Sequence, residues 1–160
     1  QAATNMGTTI TVALVAGSTA YVVNVGDSRA YLYHESGGLC QITHDHSVVA
    51  CLVETGVITS DDIYTHPKRN QLLRYLGEKA TVEADAFIVP LKPDNRLLLC
   101  SDGLWEMMRD PTLERIMSIP VADPSRVVEA LIQGALKGGG KDNVSVIVAF
   151  VSDEDTRATG

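Results

Sequence analysis

The stretch "LLLCSDGLWEMM", residues 97–108, sets a short polar segment between two apolar ones. Leu97 to Cys100 form an apolar run that is typical of a strand crossing the middle of a sheet. The run ends at Ser101, Asp102 and Gly103, and apolar residues then resume. Because an isolated buried carboxylate is costly, Asp102 must be paired, hydrogen-bonded or bound to a cation. The glycine indicates that the backbone bends sharply there or passes close to another group.

The composition around this stretch is that of one acidic globular domain. The chain has 160 residues, of which 45% are hydrophobic, enough for one well-formed core. Thirteen basic and twenty acidic residues give a formal charge of −7, and no basic stripe is present. These features argue against nucleic acid or an anionic membrane as a partner. No apolar run approaches the roughly 20 residues of a membrane span. We therefore expect a cytoplasmic protein.

Three cysteines, Cys40, Cys51 and Cys100, are an odd number without a CxxC spacing, and each has apolar neighbours. This pattern predicts buried thiols in a reducing compartment rather than a zinc site or a disulfide network.

Turn residues and apolar alternation predict a mixed arrangement of strands and helices. The first four strands, expected as an antiparallel meander, are predicted at 8–16, 20–25, 29–33 and 39–43. A helix is predicted from Ser47 to Gly56, a surface excursion at 59–69 and a short helix near 71–76. Further strands are predicted at 82–90, 96–100 and 144–151, the last as a central strand. Helices are predicted to start at Asp110-Pro111 and Asp123-Pro124. This order predicts an α+β layered domain.

Three aspartates stand at the ends of predicted strands. Asp27 lies in a Gly-Asp-Ser turn, Asp102 in Ser-Asp-Gly, and Asp142 follows a glycine run and directly precedes the last strand. Strand ends can converge at one edge of a sheet, where hard divalent cations take oxygen ligands. Without a cation, carboxylates brought that close repel, and one becomes protonated. Each aspartate beside a glycine also suits an ordinary turn, so spacing alone leaves both readings open.

Three segments resemble the signature segments of the PPM/PP2C family of metal-dependent Ser/Thr protein phosphatases. They are "GDSRAYLY" (26–33), "SDGLWE" (101–106) and "GGGKDNVSVIV" (138–148), in this order. Residues 6–15, 41–59 and 66–77 resemble the bacterial branch of that family. The resemblance runs from about Met6 to about Val151. It implies a PP2C-like β-sandwich flanked by helices, with a dinuclear Mn²⁺ or Mg²⁺ site at one end. It further implies that Asp102 and Asp142 are ligands, and that Asp27 with Asp102 holds a further, weaker metal.

The resemblance also implies that part of the catalytic apparatus is missing. Ahead of the "MGTT" strand the family carries an Arg-x-x-Asn-Glu-Asp segment and an Asp-Gly-His/Met-Gly-Gly segment. These supply a phosphate-gripping arginine, a metal-bridging aspartate and sometimes a histidine acid, and neither segment occurs in this chain. We therefore identify no catalytic residue beyond the metal ligands. We expect residues 1–160 to be the C-terminal portion of one such domain, cut from a longer phosphatase or kept as a natural remnant. Its core is expected at about 6–151 and a polar tail at 152–160.

The expected function is part of a metal-dependent phosphatase that hydrolyses phosphoserine and phosphothreonine through a metal-activated water. We expect the fragment alone to be nearly inactive, because the bridging aspartate is absent. The expected partners are phosphorylated proteins, as produced by bacterial Ser/Thr kinases in signalling. With N-terminal strands missing from the sandwich, self-association through an exposed sheet edge is also expected. The alternative is a non-catalytic PP2C-like module that binds a protein partner or senses a divalent metal.

Other residues have two readings each. His66, Lys68 and Arg69 lie where the family has a mobile flap, and they either help to hold a phosphopeptide or belong to a solvated loop. His44 and His46 are expected to be structural, although paired histidines are also plausible zinc ligands. "GGGKDN" does not fit a phosphate-cradling loop, because no Ser or Thr follows the lysine. Trp105, Met107 and Met108 are expected to pack in the core rather than form a recognition patch.

Overall fold

The computed structural model describes residues 6–77 and 79–152. Within them lie seven strands, four α-helices and one 3₁₀ turn. The strands are β1 (Ile10–Ala16), β2 (Thr19–Val25), β3 (Arg29–His34), β4 (Gly38–Gln41), β5 (Asp85–Pro90), β6 (Arg96–Cys100) and β7 (Val146–Phe150). The helices are α1 (Val48–Glu54), α2 (Asp102–Trp105), α3 (Asp110–Met117) and α4 (Pro124–Lys137), and the 3₁₀ turn is Asp62–Tyr64.

The strands form two antiparallel sheets. One has the order β1-β2-β5 and the other β4-β3-β6-β7. The predicted four-stranded meander is therefore wrong, because β2 and β3 lie in different sheets. The change of sheet occurs at Gly26–Ser28, where Gly26 has a φ of +112°. The prediction of a central final strand is also wrong, since β7 lies at an edge of the sheet that the described residues form.

Two apolar clusters hold these layers together. Between the sheets, Ala20 and Val22 of β2 pack in one cluster with Ala30 of β3 and Leu99 of β6. On the other face of the four-stranded sheet, alternate residues pack against the helices, as the period of two in a strand requires. That cluster contains Tyr31, Tyr33, Leu98, Cys100, Leu104, Trp105, Met108, Leu113, Met117, Val127, Leu131 and Ala135. The predicted helix-flanked β-sandwich and the core positions of Trp105 and Met108 are thus confirmed.

The helix starts that depended on local capping were predicted correctly. The Ser47 hydroxyl accepts a hydrogen bond from the Ala50 N–H at 3.2 Å and caps α1. The Asp123 carboxylate accepts from the Ser125 N–H at 2.9 Å and caps α4, with Pro124 in the first turn. Such caps satisfy backbone N–H groups that have no partner inside the helix.

The predicted helix near 71–76 is wrong. This segment instead forms isolated β-bridges, Ser47 with Leu72 and Thr8 with Leu76. The Leu73 N–H also donates to the His46 carbonyl oxygen at 2.7 Å. Its backbone groups are therefore satisfied by neighbouring segments rather than by a helical turn.

The cysteine prediction holds for one residue of three. Cys100 is buried, whereas Cys40 and Cys51 are exposed, and all three are free thiols. Cys40 lies on β4, at the edge of its sheet, and Cys51 lies on α1, whose buried residue is Val49. Apolar neighbours in the chain did not indicate burial at these two positions, because only one face of each element is covered.

The outer face of the three-stranded sheet carries apolar side chains that remain exposed. Leu14 of β1 is 64% exposed and Ile88 of β5 is 73% exposed. Ile10, Val12 and Tyr21 on the same face are also exposed. Contiguous exposed apolar surface of this kind is typical of an interaction site.

None of the helices in the described part of the chain has the length and apolar character required to cross a bilayer.

Candidate functional site

Asp27 lies where the chain passes from one sheet to the other. Its backbone carbonyl oxygen accepts a hydrogen bond from the Trp105 indole N–H at 2.9 Å. The Arg29 guanidinium lies 3.7 Å from the centre of the same ring, and Arg29 forms a buried ion pair with Asp45 at 2.6 Å. These contacts tie the Asp27 turn to α2, the helix that begins with Asp102.

Asp102 is the first residue of α2 and directly follows the cap residue Ser101 at the end of β6. Its carboxylate accepts a hydrogen bond from the Gly103 N–H at 2.8 Å. The Ser101 hydroxyl accepts from the Ser145 N–H at 3.1 Å, and the Ser101 N–H donates to the Ser145 carbonyl oxygen at 3.1 Å. The start of α2 is therefore bonded to the segment that leads into β7.

Gly103 explains how closely these two segments approach. A Cβ atom on Gly103 would lie 2.2 Å from the Asn143 carbonyl oxygen and 3.5 Å from the Asp142 carbonyl carbon. Only glycine permits backbones to pass at this distance. The close approach brings the loop of Asp142 against the loop of Asp102, as the strand-end positions predicted.

Electrostatic interactions link the three aspartates. Burial, together with the charges of Asp102 and Asp45, raises the pKa of the Asp27 carboxyl to about 6. The pKa of Asp102 is also raised, first by burial and then by the charge of Asp142, against the opposing Gly103 hydrogen bond. Asp102 therefore has an electrostatic interaction with each of the other two carboxylates. Burial is the largest cause of both shifts and the neighbouring carboxylate charges add to it, and a bound cation would favour the ionised forms.

Glu106 is a fourth carboxylate of this region, and the sequence reasoning missed it. Its pKa is raised by burial and by the charges of Asp102 and Asp142, while Arg69 and Lys141 lower it. The available signal was the spacing, since residues four apart lie on the same side of a helical turn. Asp102 and Glu106 have that spacing, and the Glu106 N–H donates to the Asp102 carbonyl oxygen at 2.9 Å.

The three flap residues named from the sequence, His66, Lys68 and Arg69, differ in whether an interaction reaches the acidic region. Arg69 lies close enough to Glu106 to lower its pKa, which puts a cation beside the acidic region. The contact seen for the His66 ring lies within the flap, where its Nδ1 accepts from the Lys68 N–H at 3.1 Å. Of the three flap residues named from the sequence, Arg69 is therefore the one with an interaction that reaches the acidic residues.

A cavity of about 490 Å³ opens beside Asp27 and Asp102. Its lining includes Thr8 and Ser28 from the sheet side, and Asn70 and Tyr75 from the segment that follows the 3₁₀ turn. Hydroxyl and amide groups there can donate hydrogen bonds to an anionic ligand that approaches the carboxylates through a cation.

The donor set fits a hard divalent cation in part. Carboxylate oxygens are the ligands that Mn²⁺ and Mg²⁺ prefer, and waters commonly complete their coordination. Within residues 6–77 and 79–152, no group of three His, Cys, Asp or Glu side chains is arranged so that it could hold a metal ion. The described carboxylates therefore fit as a partial ligand set, and further oxygens are needed to complete it.

The comparisons with known proteins agree with these features. The family model "Protein phosphatase 2C" matches residues 1–54. The serine/threonine phosphatase Stp of Listeria welshimeri is 42% identical over 143 residues, which are 89% of this chain and 56% of that protein. The phosphatase PstP of Mycobacterium tuberculosis is 42% identical over 150 residues, 94% of this chain and 28% of that protein. The chain thus spans little more than half the length of the Listeria relative.

Solved structures give the same result for the fold. The crystal structure of Stp1 from Staphylococcus aureus matches with a TM-score of 0.87 and 40% identity, over 92% of this chain and 57% of that one. The catalytic domain of PstP in complex with two manganese ions matches with a TM-score of 0.82 and 38% identity, over 93% of this chain and 60% of that one. The resemblance read from the three motifs is confirmed: the chain belongs to the protein phosphatase 2C family of serine/threonine phosphatases, in its bacterial branch.

Proposed function

We propose that this chain is the C-terminal portion, with its core at about 6–151, of one metal-dependent phosphatase domain that acts on phosphoserine and phosphothreonine in proteins. The observation that carries the proposal is the convergence of three aspartate-bearing segments: the Asp27 carbonyl oxygen accepts from Trp105 of α2 at 2.9 Å, and Gly103 lies against the backbone of residues 142 and 143. The extent of the matches supports the partial domain, since the chain covers 56% of the Listeria phosphatase.

Asp102 and Asp142 are proposed as ligands of one Mn²⁺ or Mg²⁺ site, and Asp27 with Asp102 as ligands of a further one. When bound, the metal supplies an activated water and positive charge for the phosphoryl oxygens. The side chains near the cavity bind and orient the substrate. The charge of Arg69 lowers the pKa of Glu106, and its guanidinium is proposed to hold a phosphate oxygen at the acidic region. Lys68 and His66 are proposed to contact the peptide around it.

The first expected result concerns metal binding and turnover by the chain itself. In a Mn²⁺ titration followed by NMR, the amide signals of Asp27, Asp102 and Asp142 are expected to broaden first, because Mn²⁺ is paramagnetic. Binding is expected to be weak, since fewer than the about six oxygen ligands of a complete shell come from the chain. For the same reason, hydrolysis of p-nitrophenyl phosphate is expected to stay at the rate of Mn²⁺ in buffer.

Asp102→Asn is the test variant, and Asp61→Asn is its control because the Asp61 side chain is 89% exposed and lies in a surface ion pair. The broadening should disappear with the first variant and persist with the second. Broadening that begins elsewhere would refute the metal site. Strong turnover that Asp102→Ala abolishes would show that the chain carries a complete catalytic apparatus.

The exposed face of the three-stranded sheet favours a second property, association with another copy of the chain. Strand β1 is an edge strand of the sheet that the described residues form, and open edges pair readily with other strands. Leu14→Lys is expected to shift a concentration-dependent dimer to monomer in analytical ultracentrifugation. Leu136→Lys is the control, because Leu136 is 55% exposed on α4. A chain that stays monomeric at high concentration would refute this association.

The phosphoprotein substrates are proposed to be those of bacterial Ser/Thr kinases, since the matched relatives are bacterial serine/threonine phosphatases. A cytoplasmic location is also proposed. The three free thiols suit its reducing conditions.

A further inference from the structure

A buried histidine, His46, bonds to the turn that carries Asp27. Its Nδ1 accepts a hydrogen bond from the Gly26 N–H at 3.1 Å. Its backbone N–H donates to the Gly26 carbonyl oxygen at 2.9 Å. His46 is only 6% exposed, so water competes poorly for either bond. His46 therefore bonds to both backbone polar groups of Gly26, the residue before Asp27.

The other ring nitrogen of His46 faces Asp85, the first residue of β5. Because Nδ1 accepts from Gly26, the proton of the neutral ring must lie on Nε2. Nε2 is 3.1 Å from an Asp85 carboxylate oxygen, to which it donates. Arg74 lies 3.3 Å from the same nitrogen, but its guanidinium donates to the other Asp85 oxygen at 2.8 Å. Asp85 thus selects the tautomer that leaves Nδ1 able to accept from Gly26.

The Gly26 backbone needs this support because glycine alone does not define a conformation. Its φ of +112° is one that other residues rarely adopt, and a Cβ there would lie 2.3 Å from Thr9 Cγ2. Glycine has the greatest conformational freedom of any residue in the unfolded chain. The buried Asn24 amide also donates to the Gly26 carbonyl oxygen at 3.2 Å. The direction of the Asp27 turn is therefore set by the side chains around it.

We propose that His46 is a positioning residue for the metal centre. With Asp85 holding its tautomer, His46 orients the Gly26–Asp27 turn so that the Asp27 carboxylate faces Asp102. This inference rests on the proposed function, because it requires Asp27 to be a metal ligand. His46 itself is not a ligand, since Nδ1 is occupied by the Gly26 N–H and Nε2 by Asp85.

The test compares three variants of the full chain by NMR. In the wild type, a coupling between the ¹⁵N nuclei of Gly26 and His46 Nδ1 should report the hydrogen bond directly. His46→Ala is expected to raise the Kd for Mn²⁺, measured by broadening of the Asp27 amide, about tenfold. His46→Asn should restore most of the affinity, because its amide oxygen can accept from Gly26. His44→Asn, a matched substitution at an exposed side chain, should leave the Kd unchanged.

Each other outcome has a distinct meaning. Absence of the ¹⁵N–¹⁵N coupling, or the same Kd for His46→Ala as for the wild type, would overturn the positioning role. If His46→Ala does not fold, Asp85→Ala keeps the ring but removes the group that selects its tautomer. A normal coupling and Kd in Asp85→Ala would likewise overturn the proposal. Absence of broadening at Asp27 in the wild type, with the coupling present, would refute the proposed metal site and the positioning role with it.

Discussion

Asp27→Asn is expected to increase the free energy of unfolding of the metal-free chain at pH 7. The Asp27 pKa of about 6 means that the folded state disfavours its ionised form, through burial and the charges of Asp102 and Asp45. Relative to the ordinary value of 3.8, this corresponds to about 3 kcal/mol. Because the carboxyl retains some contact with solvent, we expect a gain of about 1–3 kcal/mol in urea unfolding with EDTA present.

The pH dependence of this gain follows from the sign of the shift. A carboxyl whose pKa is raised by folding stabilises the folded state while it is protonated, below about pH 4. That contribution is lost as the pH rises from about 4 through 6, and the loss is complete well above pH 6. The difference between Asp27→Asn and the wild type should therefore grow between these values and then stay constant. The control Asp61→Asn should change stability by less than about 0.5 kcal/mol, as exposed substitutions usually do.

Adding Mn²⁺ should make the wild type more stable than Asp27→Asn, the reverse of the order in EDTA. Mn²⁺ that binds only the folded state stabilises it by mass action, and the wild type should gain more than a variant that lacks one proposed ligand. An Asp27→Asn variant that is less stable than the wild type in EDTA would show that hydrogen bonds hold the carboxylate in place. The acidic residues would then be a structural feature, and the metal site would lose its main support.

The parts of the fold that depend on local signals were predictable. The starts of α1 and α4 follow from the caps Ser47 and Asp123, and the start of α3 follows from Pro111 in its first turn without a side-chain cap, because these signals require only residues nearby in the chain. The partition of the strands between two sheets was not predictable in the same way. It depends on β3 pairing with β6, which is distant in sequence, and a turn at Gly26–Ser28 is compatible with a hairpin or with a change of sheet.

At the candidate site, too, some features were predictable from the sequence and others were not. The approach of Asp102 to Asp142 was predicted, because both stand at ends of strands that proved to be neighbours, β6 and β7. The contact of His46 with Gly26 was not predicted, since nothing in "HDH" specifies that its ring meets Gly26. That contact exists because the segment after β4 returns to the start of β3, where the His46 N–H reaches the Gly26 carbonyl oxygen.

Gly103→Ala is expected to be strongly destabilising. The added methyl group would lie 2.2 Å from the Asn143 carbonyl oxygen, well inside van der Waals contact. A backbone oxygen cannot rotate away as a side chain can, so α2 or the 142–143 segment must move. We expect a loss of about 3 kcal/mol in the free energy of unfolding, the upper part of the range for overpacking.

The displacement should also separate Asp102 from Asp142 and reduce Mn²⁺ binding, because the two ligands approach through this contact. Gly37→Ala is the matched control, since a Cβ there would have its nearest neighbour at an ordinary 3.8 Å, and its urea midpoint should stay close to that of the wild type. Gly103→Ala with wild-type stability and Mn²⁺ broadening at Asp102 would show that the loops do not approach as described. With both losses and an unaffected control, the glycine of "CSDGL" is explained: it allows two acidic loops to meet at the ends of neighbouring strands.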